Sequence, residues 1–214
     1  SEVVWRQADR YHVPRICFIN KMDRIGANFN RTLSMIEQRL KAKPLPVQMP
    51  IGMESSFEGI YDLVGLKAWR FDGKADSKPQ VTDLTPDEQA KCAEYRHLLI
   101  ERLAENDDDI MMAYLENQEI SPEQIKAALR RVTLANKGVP ILCGSALKNK
   151  GVRLLLDAVI DYLPSPSDIP PVMAVDIKTE EKVARPPEDD APFTALAFKV
   201  VTDPFVGRLV YLRI

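Results

Sequence analysis

The chain has 214 residues, a formal net charge of −2 and 45% hydrophobic residues. This length allows one or two domains with their own cores, and the near-neutral charge argues against a broad nucleic-acid-binding surface. No apolar run approaches the roughly 20 residues of a membrane-spanning helix, so no membrane association is expected. The three cysteines, Cys17, Cys92 and Cys143, lie far apart without a Cys-x-x-Cys pair. This predicts reduced thiols in an intracellular protein and no zinc site.

Both ends of the sequence fall inside a regular pattern. Val4, Ala8 and Tyr11 have helical spacing, so an amphipathic helix is predicted directly after Ser1. At the other end, an alternating strand pattern runs to Ile214. We therefore expect the chain to be a piece of a longer protein.

The first strong motif is the apolar run RICFI at residues 15–19, followed by Asn20-Lys21-Met22-Asp23. A short continuous apolar run is typical of a buried strand in a parallel sheet. Polar residues at the carboxyl end of such a strand lie where α/β sheets bind ligands. The order Asn-Lys-x-Asp at this place resembles the guanine-specificity motif of GTP-binding proteins. The alternative is a strand end followed by an ordinary polar turn.

The side chains of this motif suit guanine. A carboxylate at Asp23 accepts hydrogen bonds from the ring N–H and the exocyclic amine, a pair that adenine lacks. Asn20 offers amide donors and a carbonyl to the other edge of the base, and the stem of Lys21 can lie flat on the purine. The motif therefore predicts a site that selects guanine over adenine.

A helix is predicted after this motif. Asn28 or Asn30 can cap it, Leu33 and Ile36 belong to its apolar face, and Pro44 ends it. Together with the preceding apolar run, this segment forms a strand–turn–helix unit.

The pattern changes between residues 45 and 134. Short strands joined by glycine turns come first. Helices then begin at two capping boxes, residues 85–88 and 121–124. This block is predicted to be an inserted α+β subdomain.

The insert is acidic where the rest of the chain is not. Residues 83–131 contain twelve acidic and six basic residues. Asp87, Glu94, Glu101 and Glu105 fall near one helix face, opposite the apolar stripe. This face is either an ordinary solvated surface or a docking surface for a basic partner.

Sheet-like sequence resumes with a predicted strand at 139–143, a loop and a further helix. The loop contains Ser145, Ala146 and Leu147, and a Ser-Ala-(Leu/Lys) turn after a strand resembles the second guanine contact of GTPases. The backbone N–H of Ala146 can donate to the guanine carbonyl oxygen, which adenine lacks. Ser145 can hold the Asp23 carboxylate in place.

Four stretches resemble the elongation factor G family, the ribosomal translocation GTPases: NKMDRIGANF, SSFEGIYDLV, CGSALKNKGVRLLLDAVIDYLPSP and FKVVTDPFVGRLVYLRI. Ordinary GTPases and elongation factor Tu lack the long insert between the two guanine motifs. The insert resembles the extra subdomain of the elongation factor G nucleotide domain, so the resemblance extends over nearly the whole chain.

The resemblance implies an α/β fold. This would be the C-terminal half of a P-loop-type GTPase domain, a parallel sheet with helices, carrying an inserted α+β subdomain and followed by the truncated start of a β-barrel domain. The partial GTP-binding domain is assigned to residues 1–44 and 135–165, without phosphate loop and switches. The inserted subdomain is assigned to 45–134, and the linker and the start of the β-barrel to 166–214.

The resemblance also implies a function for the full-length parent. It would hydrolyse GTP, with GTP or GDP and Mg²⁺ bound, to move tRNA and mRNA through the ribosome during elongation. Ribosomal RNA and the stalk protein would be partners, with the stalk meeting Asp87, Glu94, Glu101 and Glu105, and the tRNA–mRNA complex would be contacted indirectly. We expect a monomer in the bacterial cytoplasm or in an organellar matrix.

Several motifs of the parent enzyme do not occur in the sequence. There is no GxxxxGK(S/T) phosphate loop and no Asp-x-x-Gly-His, and the histidines, His12 and His97, lie in other contexts. No catalytic residue is therefore assigned, and we expect this fragment by itself neither to hydrolyse GTP nor to bind it tightly. The alternatives are another ribosomal GTPase of similar layout, or a non-catalytic piece that binds the ribosomal stalk.

Overall fold

A computed structural model of the chain describes residues 2–72 and 78–214. The chain divides into two units, residues 1–163 and 164–214. The helices of the described residues are α1 (Glu2–Arg10), α2 (Phe29–Leu40), α3 (Pro86–Ala104), α4 (Asp108–Leu115), α5 (Pro122–Leu134) and α6 (Val152–Tyr162). The strands are β1 (Cys17–Ile19), β2 (Pro44–Pro46), β3 (Gln48–Ile51), β4 (Gly59–Asp62), β5 (Lys67–Arg70), β6 (Gln80–Asp83), β7 (Val139–Cys143), β8 (Val172–Val175), β9 (Lys182–Arg185), β10 (Leu196–Asp203) and β11 (Gly207–Arg213).

A parallel sheet in the order β1-β7-β2 forms the base of the first unit. Its central strand, β7, is buried at all five positions. A strand covered on both faces must be apolar throughout, which is why its sequence, VPILC, shows no alternation. The predicted α/β class, with a parallel sheet, helices and a C-terminal antiparallel region, is confirmed.

The strand β2 lies across the predicted boundary of the insert. Pro44, Leu45 and Pro46 pair in parallel with β7, so the boundary placed between residues 44 and 45 passes through a strand of the parallel sheet. The N–H of Val47 then donates to the carbonyl of Ile141 over 3.1 Å. The chain therefore passes from the parallel sheet into the insert without a linker.

The insert begins with an antiparallel sheet in the order β3-β4-β5-β6. Gly59 of β4 lies where an added Cβ would come within 2.4 Å of the Trp69 carbonyl oxygen, so this position requires glycine. Residues 73–77 of the predicted insert, including the Gly73 turn, lie outside the described residues, as does Ser1.

One apolar cluster joins the insert to the parallel sheet. Leu45, Leu99 and Leu129 lie in the same cluster as Leu142 of β7 and Tyr162 of α6. The insert predicted as a subdomain therefore shares its core with the GTPase-like sheet within a single unit.

The predicted helix caps are present. Asn28, one of the two predicted candidates, caps α2 by accepting a hydrogen bond from the N–H of Arg31. The capping boxes at residues 85–88 and 121–124 are both formed, with proline at the first helical position of α3 and α5. These local signals acted as expected because each cap satisfies N–H groups that have no partner within their helix.

The helix α1 differs from its prediction. Val4 and Tyr11, assigned to its apolar face, are 68% and 71% exposed. Trp5 instead packs against the core, and the guanidinium of Arg15 lies 4.4 Å from its ring centroid. Ala8, the third residue of the predicted stripe, is half-buried and lies three positions after Trp5, so these two residues share the packed face.

The second unit consists of two antiparallel hairpins, β8–β9 and β10–β11. The segment Pro-Phe-Val-Gly, residues 204–207, connects β10 to β11. There the Asp203 carboxylate accepts hydrogen bonds from the N–H groups of Phe205 and Val206, and Gly207 has a φ of 83°. Glycine tolerates this left-handed conformation without steric cost.

Candidate guanine-recognition site

The two predicted motifs leave the same edge of the parallel sheet. β1 and β7 are parallel neighbours, so the first motif loop (residues 20–23) and the second motif loop (residues 145–147) begin side by side. The N–H of Met22 donates to the carbonyl of Gly144 over 3.1 Å, and the N–H of Gly144 donates to the carbonyl of Ile19 over 3.0 Å. Backbone hydrogen bonds thus connect the two loops.

Asn20 also joins the loops, through its side-chain carbonyl. Its Oδ1 accepts a hydrogen bond from the N–H of Lys21 at 2.7 Å and another from the N–H of Ala146 at 2.9 Å. The motif predicts that the Ala146 N–H donates to a guanine oxygen, whereas in the structure this N–H donates to Asn20. A ligand carbonyl at this place would have to share or replace this bond.

Asp23 is the buried charge of the site. Its side chain is only 6% exposed, and its Oδ2 lies 3.4 Å from the Nζ of Lys148. The neighbouring Ser145 hydroxyl lowers the pKa of Asp23 most, and the ammonium of Lys148 lowers it further against the opposing effect of burial. The carboxylate is therefore ionised at neutral pH and presents acceptors only.

Ser145 lies beside this carboxylate. The residue is 1% exposed, and its hydroxyl is the leading cause of the lowered pKa of Asp23. The acceptors of Asp23 at this edge of the sheet therefore fit a ligand that presents N–H donors.

The side chains of Lys21 and Leu147 lie outside this contact network. Lys21 is exposed and has a φ of 63°, in the left-handed region. Leu147 is 81% exposed. Strained backbone at a non-glycine residue is typical of functional loops, and the exposed lysine stem is available to cover a planar base.

Residues 1–165 match the family model described as Elongation factor Tu GTP binding domain. The chain belongs to this family. Over its 214 residues it is 57% identical to elongation factor G of Dehalococcoides mccartyi and 54% identical to elongation factor G 2 of Syntrophomonas wolfei. The resemblance to elongation factor G inferred from the motifs is thereby confirmed, and the chain spans 31% of the length of these relatives.

A solved structure supports the fold. A crystal structure of a protein from Thermus thermophilus matches with a TM-score of 0.75 and 25% identity. The match covers 99% of this chain and 29% of that protein. The fold of this chain is thus shared with part of a longer protein.

Lys150 belongs to the candidate site through its contacts, although no sequence motif indicated it. Its ammonium donates to the carbonyl of Phe57 over 2.7 Å and lies 5.5 Å from the ring centroid of that residue. Its backbone exchanges two 2.9 Å hydrogen bonds with Ser145, and burial lowers its pKa. A lysine in a polar loop is ordinarily expected to be solvated, so no sequence pattern marked it.

The four acidic residues proposed as a docking face do not share one environment. Asp87, Glu94 and Glu101 are exposed on α3. Glu105 follows the helix and lies 3.4 Å from the ammonium of Lys43. All four are therefore exposed to solvent, and the fourth is also paired with a lysine.

Other acidic residues of the insert hold the fold together. Glu88 is buried and pairs with Arg70, and the N–H of Thr85 leads the causes that lower its pKa. Asp107 accepts two hydrogen bonds from Arg131, at 2.7 and 2.9 Å, and this guanidinium is the largest cause of its lowered pKa. The sequence count of acidic residues therefore overstated the charge available to a partner.

The described residues contain no cluster of three or more His, Cys, Asp or Glu side chains that could hold a metal ion. None of the helices described is long and apolar enough to cross a membrane. All three cysteines are free, and burial raises the pKa of Cys17 and of Cys92 to about 11. These thiols are protonated at neutral pH and take part in packing.

Proposed function

We propose that this chain carries the guanine-recognition half of the nucleotide site of a GTPase that drives ribosomal translocation, moving tRNA and mRNA during elongation in the cytoplasm. The family membership and the elongation factor G relatives support a translation GTPase. The observation that carries the proposal is the buried, ionised Asp23 beside Ser145, at the point where two parallel strands end.

In the proposed site, Asp23 selects the base. Its two oxygens accept the ring N–H and the exocyclic amine of guanine, and adenine offers no such pair. Asn20 holds the second motif loop against the first, and the stem of Lys21 covers the face of the base. Discrimination is strong because a mismatched base would leave a buried carboxylate unsatisfied.

The nucleotide, when bound, supplies the phosphoanhydride whose hydrolysis is the chemical step, with Mg²⁺ on its phosphates. This chain contains no GxxxxGK(S/T) motif, so we assign none of its residues to phosphate or magnesium. The residues present fit the base, and their proposed role is to bind and orient it.

The test is Asp23→Asn in the full-length protein. An amide presents a donor where xanthine has a carbonyl, so we expect GDP affinity to fall and xanthosine diphosphate affinity to rise. Losing the charge-assisted hydrogen bond to the exocyclic amine and setting two donors against each other corresponds to a loss of about 3 kcal/mol, or roughly 100-fold in the dissociation constant of GDP. Equilibrium titration with fluorescent nucleotides measures both constants.

Asp157→Asn, the same change at an exposed position of α6, serves as the control. It should leave both dissociation constants unchanged. An Asp23→Asn protein that kept its preference for guanine would remove Asp23 from the site.

For the partner, we propose that the exposed acidic residues of α3 contact the basic surface of a ribosomal stalk protein. Asp87, Glu94 and Glu101 are open to solvent on one helix. Charge at the rim of an interface mainly increases the association rate. The expected role is therefore faster recruitment to the ribosome rather than a change at the nucleotide.

A further inference from the structure

The turn of the insert that precedes β4 reaches back to the first motif loop. It is a short 3₁₀ turn, Glu54–Ser56. The N–H of Glu54 donates to the carbonyl of Met22 over 2.9 Å. The Oε1 of the same residue accepts the N–H of Gly26 over 2.8 Å. One residue of the insert thus holds the chain on both sides of Asp23.

The backbone of this turn is held in place from its own side. Glu54 has a φ of 55°, in the left-handed region. A non-glycine residue keeps such a conformation only where its surroundings enforce it. The hydroxyl of Ser56 donates to the Met53 carbonyl over 2.7 Å and accepts the Met53 N–H over 3.1 Å. Lys150 binds the carbonyl of Phe57 at the end of the turn.

The two motif loops therefore meet the same short segment. The first loop is held by Glu54, and the second loop is held through Lys150, whose backbone pairs with Ser145. The Glu54 carboxylate is thus the acceptor beside the first motif loop, and the Phe57 carbonyl is the acceptor for Lys150 beside the second.

We propose that Glu54 is a positioning residue for guanine selectivity, holding the turn that carries Asp23 so that both carboxylate oxygens meet the base. The inference rests on the proposed function, since it assigns a role toward the same guanine site. Glu54 acts through the backbone of Met22 and Gly26. When the turn loosens, the second hydrogen bond of the Asp23 carboxylate, the one to the exocyclic amine, is lost first.

Inosine diphosphate tests this point because hypoxanthine lacks the exocyclic amine but keeps the ring N–H and the carbonyl oxygen. The experiment measures the dissociation constants of GDP and inosine diphosphate in the full-length protein carrying Glu54→Gly, Glu54→Ala or Glu54→Gln. Glycine suits the positive φ and keeps the N–H to Met22, so this variant removes the carboxylate without strain. Glutamine keeps an oxygen acceptor for Gly26.

We expect Glu54→Gly and Glu54→Ala to weaken GDP binding about fivefold and inosine diphosphate binding by no more than about twofold. Glu54→Gln should restore the wild-type ratio. The control is Glu58→Ala, which removes a carboxylate of the same charge four residues away. It is suitable because the Glu58 carboxylate lies 4.0 Å from Arg70. It should leave the ratio unchanged.

Equal weakening of both nucleotides, or an unchanged ratio in Glu54→Gly, would overturn the positioning role while leaving the guanine site in place. Failure of the wild-type protein to prefer GDP over inosine diphosphate and ADP would instead overturn the proposed function itself. Thermal unfolding of each variant shows whether the fold is kept. Glu54→Gly decides the outcome if Glu54→Ala does not fold.

Discussion

Three neighbouring groups keep Asp23 ionised, and it is buried where the two motif loops lie side by side. The Ser145 hydroxyl, the local backbone and Lys148 lower its pKa, and desolvation opposes them. A carboxyl group with a lowered pKa stays charged, and contributes to stability and binding, until the pH falls through that lowered value. Guanine recognition should therefore persist below the pH at which an ordinary aspartate becomes protonated.

Ser145→Ala tests this electrostatic arrangement. Without the hydroxyl the pKa of Asp23 rises, so GDP affinity should start to decline at a higher pH as the solution is acidified. At neutral pH we expect about a threefold weaker GDP affinity because the carboxylate loses an orienting neighbour. The measurement is the GDP dissociation constant across a pH series in the full-length protein.

Ser34→Ala, on the exposed face of α2, is the matched control for this series. Its pH profile should follow that of the wild type. An unshifted profile in Ser145→Ala would mean that Lys148 and the backbone suffice to keep Asp23 charged.

Among the elements, α3 connects the insert to β2 and α2. Arg102 donates to the carbonyl of Pro44 over 2.5 Å and pairs with Glu37 at 2.7 Å. The hydroxyl of Tyr95 donates to Asn30 over 2.5 Å. The helix α3 therefore contacts both β2 and α2.

We expect Thr85→Ala to destabilise the first turn of α3 by about 1 kcal/mol. The reason is that the Thr85 hydroxyl accepts the N–H of Glu88, while the Glu88 carboxylate accepts the N–H of Thr85 over 2.9 Å. Native-state hydrogen exchange should show about fivefold faster exchange at the first amides of α3.

Thr85→Ser keeps the capping oxygen and should leave exchange nearly unchanged. Equal protection in Thr85→Ala would show that the contact of Glu88 with Arg70 holds this helix end without the cap.

At the scale of the first unit, the insert and the parallel sheet share one core. The insert therefore packs its acidic helix on the same core as the sheet, and its 3₁₀ turn contacts the first motif loop. The proposed partner surface on α3 and the proposed guanine site at Asp23 therefore belong to the same packed unit.

Charge reversal on this helix tests the proposed partner surface. Glu94→Lys or Glu101→Lys should slow ribosome-stimulated GTP hydrolysis about threefold at low salt, because each puts like charge against a basic partner. The effect should shrink as salt is raised, and GDP affinity should not change. Steady-state hydrolysis with ribosomes at several salt concentrations measures this.

Glu123→Lys, an exposed reversal on α5, is the control and should leave the stimulated rate unchanged. Wild-type rates in both α3 variants would assign this face to ordinary solvation.

The sequence by itself determined the local elements and the identity of the motif residues. Caps, apolar runs and the Asn-Lys-x-Asp and Ser-Ala-Leu segments depend on neighbours a few residues apart, so periodicity and side-chain chemistry were enough to place them. Periodicity did not identify Trp5 as the residue of α1 that packs against the core, although Ala8 of the predicted stripe is half-buried. The boundary predicted after residue 44 falls within β2. Periodicity could not show this, because β2 pairs with residues almost a hundred positions away.

Only the tertiary structure decided what each site residue touches. It engaged the N–H of Ala146 with Asn20, buried Lys150 against Phe57 and brought Glu54 to both sides of Asp23. These contacts join segments that are distant along the chain, and they arise because parallel strands end at one edge and the insert folds back over it. Residue spacing cannot predict these contacts, because they arise when two sheets pack around a shared core.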